Sequence, residues 1–239
     1  MTNAGNMLTI EKLASGYGES LVLREITMKI KPGQVVCLMG RNGVGKTTLM
    51  KTIMGLIKPK NGTVRYGEHE LTDAPPYRHA KAGIGYVPQG RDIFSQLTVE
   101  ENLQIGLEAA GGSLRKAGIP NSIYEKFPVL GQMLKRKGGD LSGGQQQQLA
   151  IARALVAEPK LLLLDEPMEG IQPSIVMEIE RVIESIKANQ SMSVLLVEQS
   201  LTFATSIADY YYVLDKGTIV AEGSPATLSE DQVRKHLAV

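Results

Sequence analysis

Apolar residues fall along this chain in three patterns, and each predicts a kind of element. Where they run unbroken, as in Val35–Met39, Leu161–Leu164 and Val194–Val197, a strand covered on both faces is predicted. Where they alternate, as Ile26, Met28 and Ile30 do with Thr27 and Lys29, a strand has one buried and one wet face. Where they recur every three or four residues, as Ile175, Val176, Ile179, Val182, Ile183 and Ile186 do, a helix presents one apolar face.

Along the chain, Met7–Leu13 and Leu21–Ile30 read as strands joined through Gly16-Tyr17-Gly18, so the N-terminal part is expected to be antiparallel. Thr63–Tyr66 and Ile84–Pro88 read as short strands, the second stopped by its proline with Gln89 at the exposed end. Tyr210–Leu214 and Thr218–Ala221 flank Asp215-Lys216-Gly217, a hairpin signal. A helix carrying Leu49, Ile53 and Leu56 is expected after Gly45, and another over Ala74–Ala82 with Pro75-Pro76 at its entry. Thr98 and Glu101 form a capping-box pattern for a helix through Leu107, broken by Gly111-Gly112. Residues 122–137 mix helical stretches around Pro128, and the tail from Ser224 reads as a short helix. The expected fold is α/β: a single domain with a nucleotide-binding core of 1–89 plus 158–224, an inserted helical subdomain over 90–157, and a tail over 225–239.

Composition narrows the classes. With 239 residues, 43% hydrophobic and 21% charged, the chain has ample core and ordinary globular balance. A net charge of +1 gives no reason to expect a nucleic-acid partner. Lys135-Arg136-Lys137 reads as a solvated loop rather than a nucleic-acid patch. The one cysteine, Cys37, lies in an apolar strand, which leaves no internal disulfide framework and fits a reducing cytosol. No apolar run approaches the ~20 residues of a membrane-spanning helix, and Met1–Asn6 lacks a signal-peptide layout. Any membrane role is therefore expected to be borrowed from a partner.

The chemistry centres on Gly40-Arg41-Asn42-Gly43-Val44-Gly45-Lys46-Thr47-Thr48, a G-x-x-x-x-G-K-[ST] phosphate loop. It sits between a buried strand and a helix, the context the motif requires. Glycines let several backbone N–H groups point at one centre, and the helix N-terminus adds its unpaired N–H groups. Lys46 can reach the β- and γ-phosphates, and the Thr47 hydroxyl suits Mg²⁺. A second glycine turn, Leu141-Ser142-Gly143-Gly144-Gln145, opens a helix through Leu149, Ala152 and Leu155. It is a second anion site of the helix N-terminus type. Asp165-Glu166 ends a buried strand, where adjacent carboxylates are costly without a cation.

Together these stretches resemble the ATP-binding cassette (ABC) family, and the resemblance covers essentially the whole chain. It implies a P-loop NTPase fold of the ABC ATPase type, with a parallel central sheet, and ATP with Mg²⁺ as the bound species. On that resemblance, Asp165 corresponds to the Mg²⁺-organising carboxylate, Glu166 to the catalytic base, and Gln89 to the glutamine that touches the metal and the membrane subunit. Tyr17 corresponds to the aromatic that stacks on adenine; a turn aromatic packed on the sheet is the alternative. The family sandwiches ATP between two chains, with the phosphate loop of one facing Ser142–Gln145 of the other. Nucleotide then holds the dimer closed until hydrolysis.

Two positions depart from the family pattern. Gln199 stands where a histidine is usual, and Gln172 where an aspartate is usual. Val197-Glu198-Gln199 and Glu169–Pro173 resemble the importer branch for branched-chain amino acids and related amides. The Gln145–Gln148 run, with Glu169–Pro173, resembles most the ATPase subunit of urea importers. The implied function is ATP hydrolysis driving uptake of urea or a related amide, with a branched-chain amino acid importer as the alternative. The implied partners are a second, related ATPase chain or a second copy, two membrane permeases and, indirectly, a periplasmic binding protein. The chain is expected at the cytoplasmic face of the inner membrane, with the groove for a permease helix over Gln89–Leu103. The rival classes are a soluble ABC ATPase acting on nucleic acid or ribosomes, and a binding module without turnover. The near-neutral charge speaks against the first and Glu166 against the second.

Overall fold

The computed structural model describes residues 7–110, 116–190, 192–227 and 233–235. The expected break at Gly111-Gly112 lies outside these residues, as does most of the expected C-terminal helix.

Alternation builds the first sheet. β1 (Leu8–Ser15) pairs antiparallel with β2 (Leu23–Ile30) and with β4 (Asn61–Tyr66). β5 (His69–Glu70) closes the edge, so the order is β2-β1-β4-β5. The sequence reading omitted β5, whose two residues are both exposed and carry no hydrophobic period.

Unbroken apolar runs build the second sheet, in the order β10-β9-β3-β8-β7-β6. β3 (Val35–Met39), β6 (Ile84–Val87), β7 (Leu161–Asp165), β8 (Ser193–Glu198) and β9 (Tyr210–Asp215) run parallel. β10 (Thr218–Gly223) folds back on β9 as an antiparallel hairpin. Every residue of β3, β7 and β8 is buried.

The helices are α1 (Lys46–Ile53), α2 (Pro76–Lys81), α3 (Val99–Ala110), α4 (Asn121–Lys126), α5 (Pro128–Gly131), α6 (Gly143–Leu155), α7 (Pro173–Asn189) and α8 (Leu201–Ile207). They sort to the two faces of the parallel sheet. Leu162, Leu164, Val194 and Leu196 meet Phe127, Leu149, Ile179 and Ile183 from α4 to α7. Their strand neighbours Leu161, Leu163, Leu195 and Val197 point the other way, to Leu49 and Ile53 of α1 and to Leu8, Ile10 and Ile26 of the antiparallel sheet. The period-two side-chain alternation of a strand thus serves two cores. Each buried Leu, Ile or Phe contributes roughly 1.5–3 kcal/mol against exposure, so burial dominates any helix propensity here.

Local signals set several ends. Thr98 and Glu101 exchange capping-box bonds at the start of α3, with Thr98 N–H to Glu101 Oε2 at 2.7 Å and Glu101 N–H to Thr98 Oγ1 at 3.2 Å. Leu56 does not join the face of α1, contrary to the expectation. The helix stops at Ile53, and Gly55 turns left-handed at φ 69°. Leu56 N–H then bonds Lys51 O at 2.9 Å and Gly55 N–H bonds Thr52 O at 3.0 Å. That pair of bonds is a Schellman closure, which projects Leu56 into solvent.

The parallel register decides where chemistry can occur. Met39 pairs with Glu198, and Asp165 with Val197. The loops leaving β3, β7 and β8 therefore emerge side by side at the carboxyl edge of the sheet, the usual ligand edge of such folds.

Candidate active site

The segment from Gly40 to Thr48 wraps the start of α1. Gly43 and Gly45 have φ of 80° and 114°, a region disfavoured for other residues. Gly45 caps α1 without a side chain, so the first N–H groups of the helix keep no internal partner. Val44 is buried, and its carbonyl accepts Gly217 N–H at 3.1 Å, which ties the loop to the β9–β10 hairpin. A Cβ on Gly40 would come within 2.4 Å of Leu214 O in that hairpin. Gly40 and Arg41 serve through their carbonyls, which accept Lys46 Nζ at 2.8 and 2.9 Å. Lys46 is 4% exposed.

Beside this loop lies a cleft of about 450 Å³, bounded also by Tyr17, Asn42, Thr47, Thr48, Gln89 and Glu166. Tyr17 stands at its mouth half exposed, rather than packed on the sheet. Glu166 holds the centre. Lys46 Nζ is 3.2 Å from its Oε1, Gln199 Nε2 donates to Oε1 at 3.0 Å, and Gln89 Nε2 donates to Oε2 at 3.2 Å. Gln199 Nε2 also donates to Asn42 Oδ1 at 2.7 Å. Glu166 itself has φ 48°. Its N–H bonds Val197 O, and its carbonyl accepts Glu169 N–H, each at 3.2 Å. Backbone held in this region costs a bulky residue about 1–2 kcal/mol and is typical of residues whose direction matters.

Asp165, next in the chain, is 1% exposed. Burial pushes its carboxyl above the usual carboxylate range; Thr47 and Lys46 oppose this, and Glu166 adds to it. Tyr86 lies 3.5 Å from its Oδ2, while Oδ1 is buried with no hydrogen-bond partner among the described residues. An orphaned carboxylate oxygen beside a threonine hydroxyl is a hard-oxygen donor set of the kind Mg²⁺ prefers. Gln89 faces elsewhere: it bridges Glu166 and Glu169, reaching Glu169 Oε2 at 2.8 Å. Sequence reasoning had used Glu169 only as a family mark and had not weighed Tyr86, whose position in a short strand carries no distinguishing pattern.

Ser142, Gly143, Gly144 and Gln145 lie apart from this cleft. Ser142 caps α6 in a full capping box with Gln145. Gln145 N–H reaches Ser142 Oγ at 3.4 Å, and Ser142 N–H reaches Gln145 Oε1 at 3.0 Å. The Arg91 guanidinium lies against Gly143 and donates to Gln146 Oε1 at 3.3 Å. Ile175 packs where a Cβ on Gly144 would stand. Among the described residues these two glycine turns at helix N-termini are therefore separate, and it is the Gly40–Thr48 turn that is joined to Glu166, through Lys46.

A larger cavity, about 650 Å³, opens between the sheet and the helices, bounded by Leu56, Ile84, Ile105, Arg153 and Pro159 among others. None of residues 89–103 lines it. The reason is local: Phe94 and Asp92 fold onto Arg153, which stacks 5.1 Å from the Phe94 ring and donates to Asp92 O at 2.7 Å. That stretch supports the rim instead. No helix of the described residues is long and apolar enough to cross a membrane.

Known proteins resemble this chain in sequence and fold. Residues 23–169 match the family described as ABC transporter. The chain is 39% identical over 222 residues to the high-affinity branched-chain amino acid transport ATP-binding protein BraG of Pseudomonas aeruginosa, covering 93% of this chain and 94% of that protein. It is 37% identical over 226 residues to a probable branched-chain amino acid transport ATP-binding protein, LivF, of Archaeoglobus fulgidus, covering 95% of each. A solved ATP-binding subunit of an ABC transporter superposes with a TM-score of 0.86 at 27% identity, over 98% of this chain and all of that one. Phosphate loop, adjacent carboxylates and whole-chain likeness agree: this chain belongs to the ABC transporter family, as one of its ATP-binding, ATP-hydrolysing members.

Proposed function

We propose that the chain powers an importer for branched-chain amino acids, hydrolysing ATP at Glu166 between two ATPase chains. The observation that carries the hydrolytic part is the convergence of Lys46, Gln199 and Gln89 on one carboxylate at the mouth of the phosphate cleft. The solute is argued from the relatives at 39% and 37% identity, both named for branched-chain amino acid transport. The urea reading rests on Gln145–Gln148 and Glu169–Pro173 alone, and the named relatives favour the alternative.

In this reading the backbone of Gly40–Thr48 holds the phosphates, and Lys46 leaves Glu166 for the γ-phosphate. Glu166, released from its cation, orients and deprotonates the attacking water. Gln199 turns its amide from Glu166 to the γ-phosphate, a neutral donor where the family usually has histidine. Thr47 and Asp165 would hold Mg²⁺, which neutralises phosphate charge when bound; Gln89 would join them on leaving Glu169. Tyr17 stacks on the adenine. Ser142–Gln145 face the nucleotide of the opposing chain, a second related subunit or a second copy, so that ATP favours the closed dimer and hydrolysis the open one.

Residues 90–157 are read as the helical subdomain on a core of 1–89 and 158–224, with 225–239 as a tail. Two membrane permeases are the working partners, a short helix of one of them entering the cavity beside Leu56 and Ile105 of this chain. The chain then sits at the cytoplasmic face of the inner membrane, and a periplasmic protein selects the solute.

The test is uptake of labelled leucine and labelled urea by cells lacking the chain, complemented with wild type or with Glu166→Gln. Leucine uptake restored by wild type alone supports the reading. Restored urea uptake with leucine uptake unchanged would replace the solute, and restoration of either by Glu166→Gln would remove the hydrolytic role of Glu166.

A further inference from the structure

The parallel register sets the first residue beyond β8 beside the phosphate loop. Met39 pairs with Glu198, so Gln199 leaves β8 level with Gly40, which leaves β3. From there the Gln199 amide reaches two acceptors at once. Its Nε2 donates to Asn42 Oδ1 at 2.7 Å and to Glu166 Oε1 at 3.0 Å. Asn42 belongs to the phosphate loop and lines the cleft together with Glu166. The scheme above uses the backbone of that loop and gives the Asn42 side chain no task.

A glutamine amide nitrogen carries two hydrogens. Both are engaged here, so neither is spare for a phosphate oxygen. The two acceptors differ in what else they hold. Glu166 Oε1 also has Lys46 Nζ at 3.2 Å, whereas Asn42 Oδ1 has the Gln199 amide alone among the described residues. Asn42 is also fixed in the loop that would hold the phosphates, so its carbonyl keeps a constant place relative to them. The hydrogen on Asn42 can stay where it is while the other swings from Glu166 to a γ-phosphate. An unanchored glutamine side chain is spread over many rotamers. A bond at its tip removes most of them before the phosphate arrives, and small misplacements of such groups are expensive in rate.

We propose that Asn42 is a positioning residue for Gln199: its side-chain carbonyl keeps one hydrogen of the amide and is the pivot about which the other turns from Glu166 to the γ-phosphate. In this role the Asn42 side chain acts through Gln199 and not on the nucleotide. Its loss should lower turnover and spare affinity, which the loop backbone and Lys46 supply. Gln199→His would offer a single N–H in its neutral form, with no second hydrogen for Asn42 to hold. Asn42 should therefore matter when residue 199 is glutamine and little when it is histidine. The proposal rests on the γ-phosphate role given to Gln199 above.

The test is a double-mutant cycle on the purified full chain, in which Asn42→Ala is made on wild type, on Gln199→Ala and on Gln199→His. Single-turnover hydrolysis of MgATP, KM and the melting temperature are read for each. On wild type, Asn42→Ala should slow hydrolysis about fivefold, the worth of one neutral hydrogen bond, with KM within about threefold. On Gln199→Ala and on Gln199→His the same change should cost less than about twofold. An equal loss on all three backgrounds, or no loss on wild type, would overturn the pivot. The two readings fail differently. Wild-type turnover in Gln199→Ala would remove the γ-phosphate role of Gln199 and the pivot with it. A slow Gln199→Ala whose loss simply adds to that of Asn42→Ala would remove the pivot alone.

Discussion

Lys46 Nζ lies 3.2 Å from Glu166 Oε1, both side chains nearly buried, although one follows β3 and the other follows β7. The ammonium proposed to serve the phosphates thus rests on the carboxylate proposed to activate water. In the proposed mechanism, a triphosphate draws Lys46 away from this pair and leaves the Glu166 carboxylate facing the attacking water.

Glu166→Gln keeps an oxygen that can accept from Lys46 and Gln199 but removes the basic site. Turnover should fall by about 10²–10⁴, the range for loss of a general base, with ATP affinity close to wild type. Steady-state hydrolysis and a direct binding titration check both halves. Near-normal turnover would take the base role away from Glu166.

Gln199→His should be tolerated, because an imidazole N–H can replace the amide that now reaches Asn42 Oδ1 and Glu166 Oε1. Gln199→Ala supplies no donor and should lose roughly 10²-fold in kcat, as for one lost donor to developing charge. A comparison of the two by single-turnover hydrolysis decides it. Equal activity in both variants would mean that no donor is needed there.

Gly106 lies inside α3, where a Cβ would come 2.2 Å from Arg153 O and 2.5 Å from Val156 Cγ2 of the helix behind it. Gly106→Ala gains about 1 kcal/mol of helix propensity, but overpacking on an unyielding backbone costs typically 1–3 kcal/mol or more. The clash should win, and the melting temperature should drop by several degrees. A thermal scan showing unchanged or raised stability would mean that α3 and α6 can separate freely.

Burial raises the Glu198 carboxyl from 4.5 to about 6. The folded chain then holds this proton more tightly than the unfolded chain does. The resulting stabilisation is fully present below pH 4.5 and is lost as pH rises through about 6. Glu198→Gln cannot titrate. Relative to that variant, wild type should lose about 2 kcal/mol between the two ends of the window. Urea unfolding of both chains at several pH values from acid to neutral measures the difference, and a pH-independent difference would contradict the burial argument.

The strands and the family were legible because their causes are local. Unbroken apolar runs identify β3, β7 and β8, alternation identifies β2, and a glycine-lysine-threonine turn between strand and helix marks a phosphate loop wherever it occurs. The same locality made Leu56 misleading, since helical spacing continues past a glycine that ends the helix. It also hid β5, which has no apolar face to betray it. The urea reading drew on short stretches that reflect branch habits rather than solute contacts, and whole-chain similarity outweighed them.

By itself the sequence determined which residues are equipped for phosphate, metal and base chemistry, because side-chain type and backbone freedom are properties of each position. Only the tertiary structure decided which of them meet. Parallel pairing of β3, β8 and β7 sets the ends of three distant segments side by side, so Lys46, Gln199 and Glu166 share one cleft while Ser142–Gln145 remain outside it. The same pairing made partners that no spacing announces: Gln89 with Glu169, and Gly106 with the backbone of α6. Such contacts depend on strand order and register, which are settled by burying both faces of a sheet and not by any run of neighbouring residues.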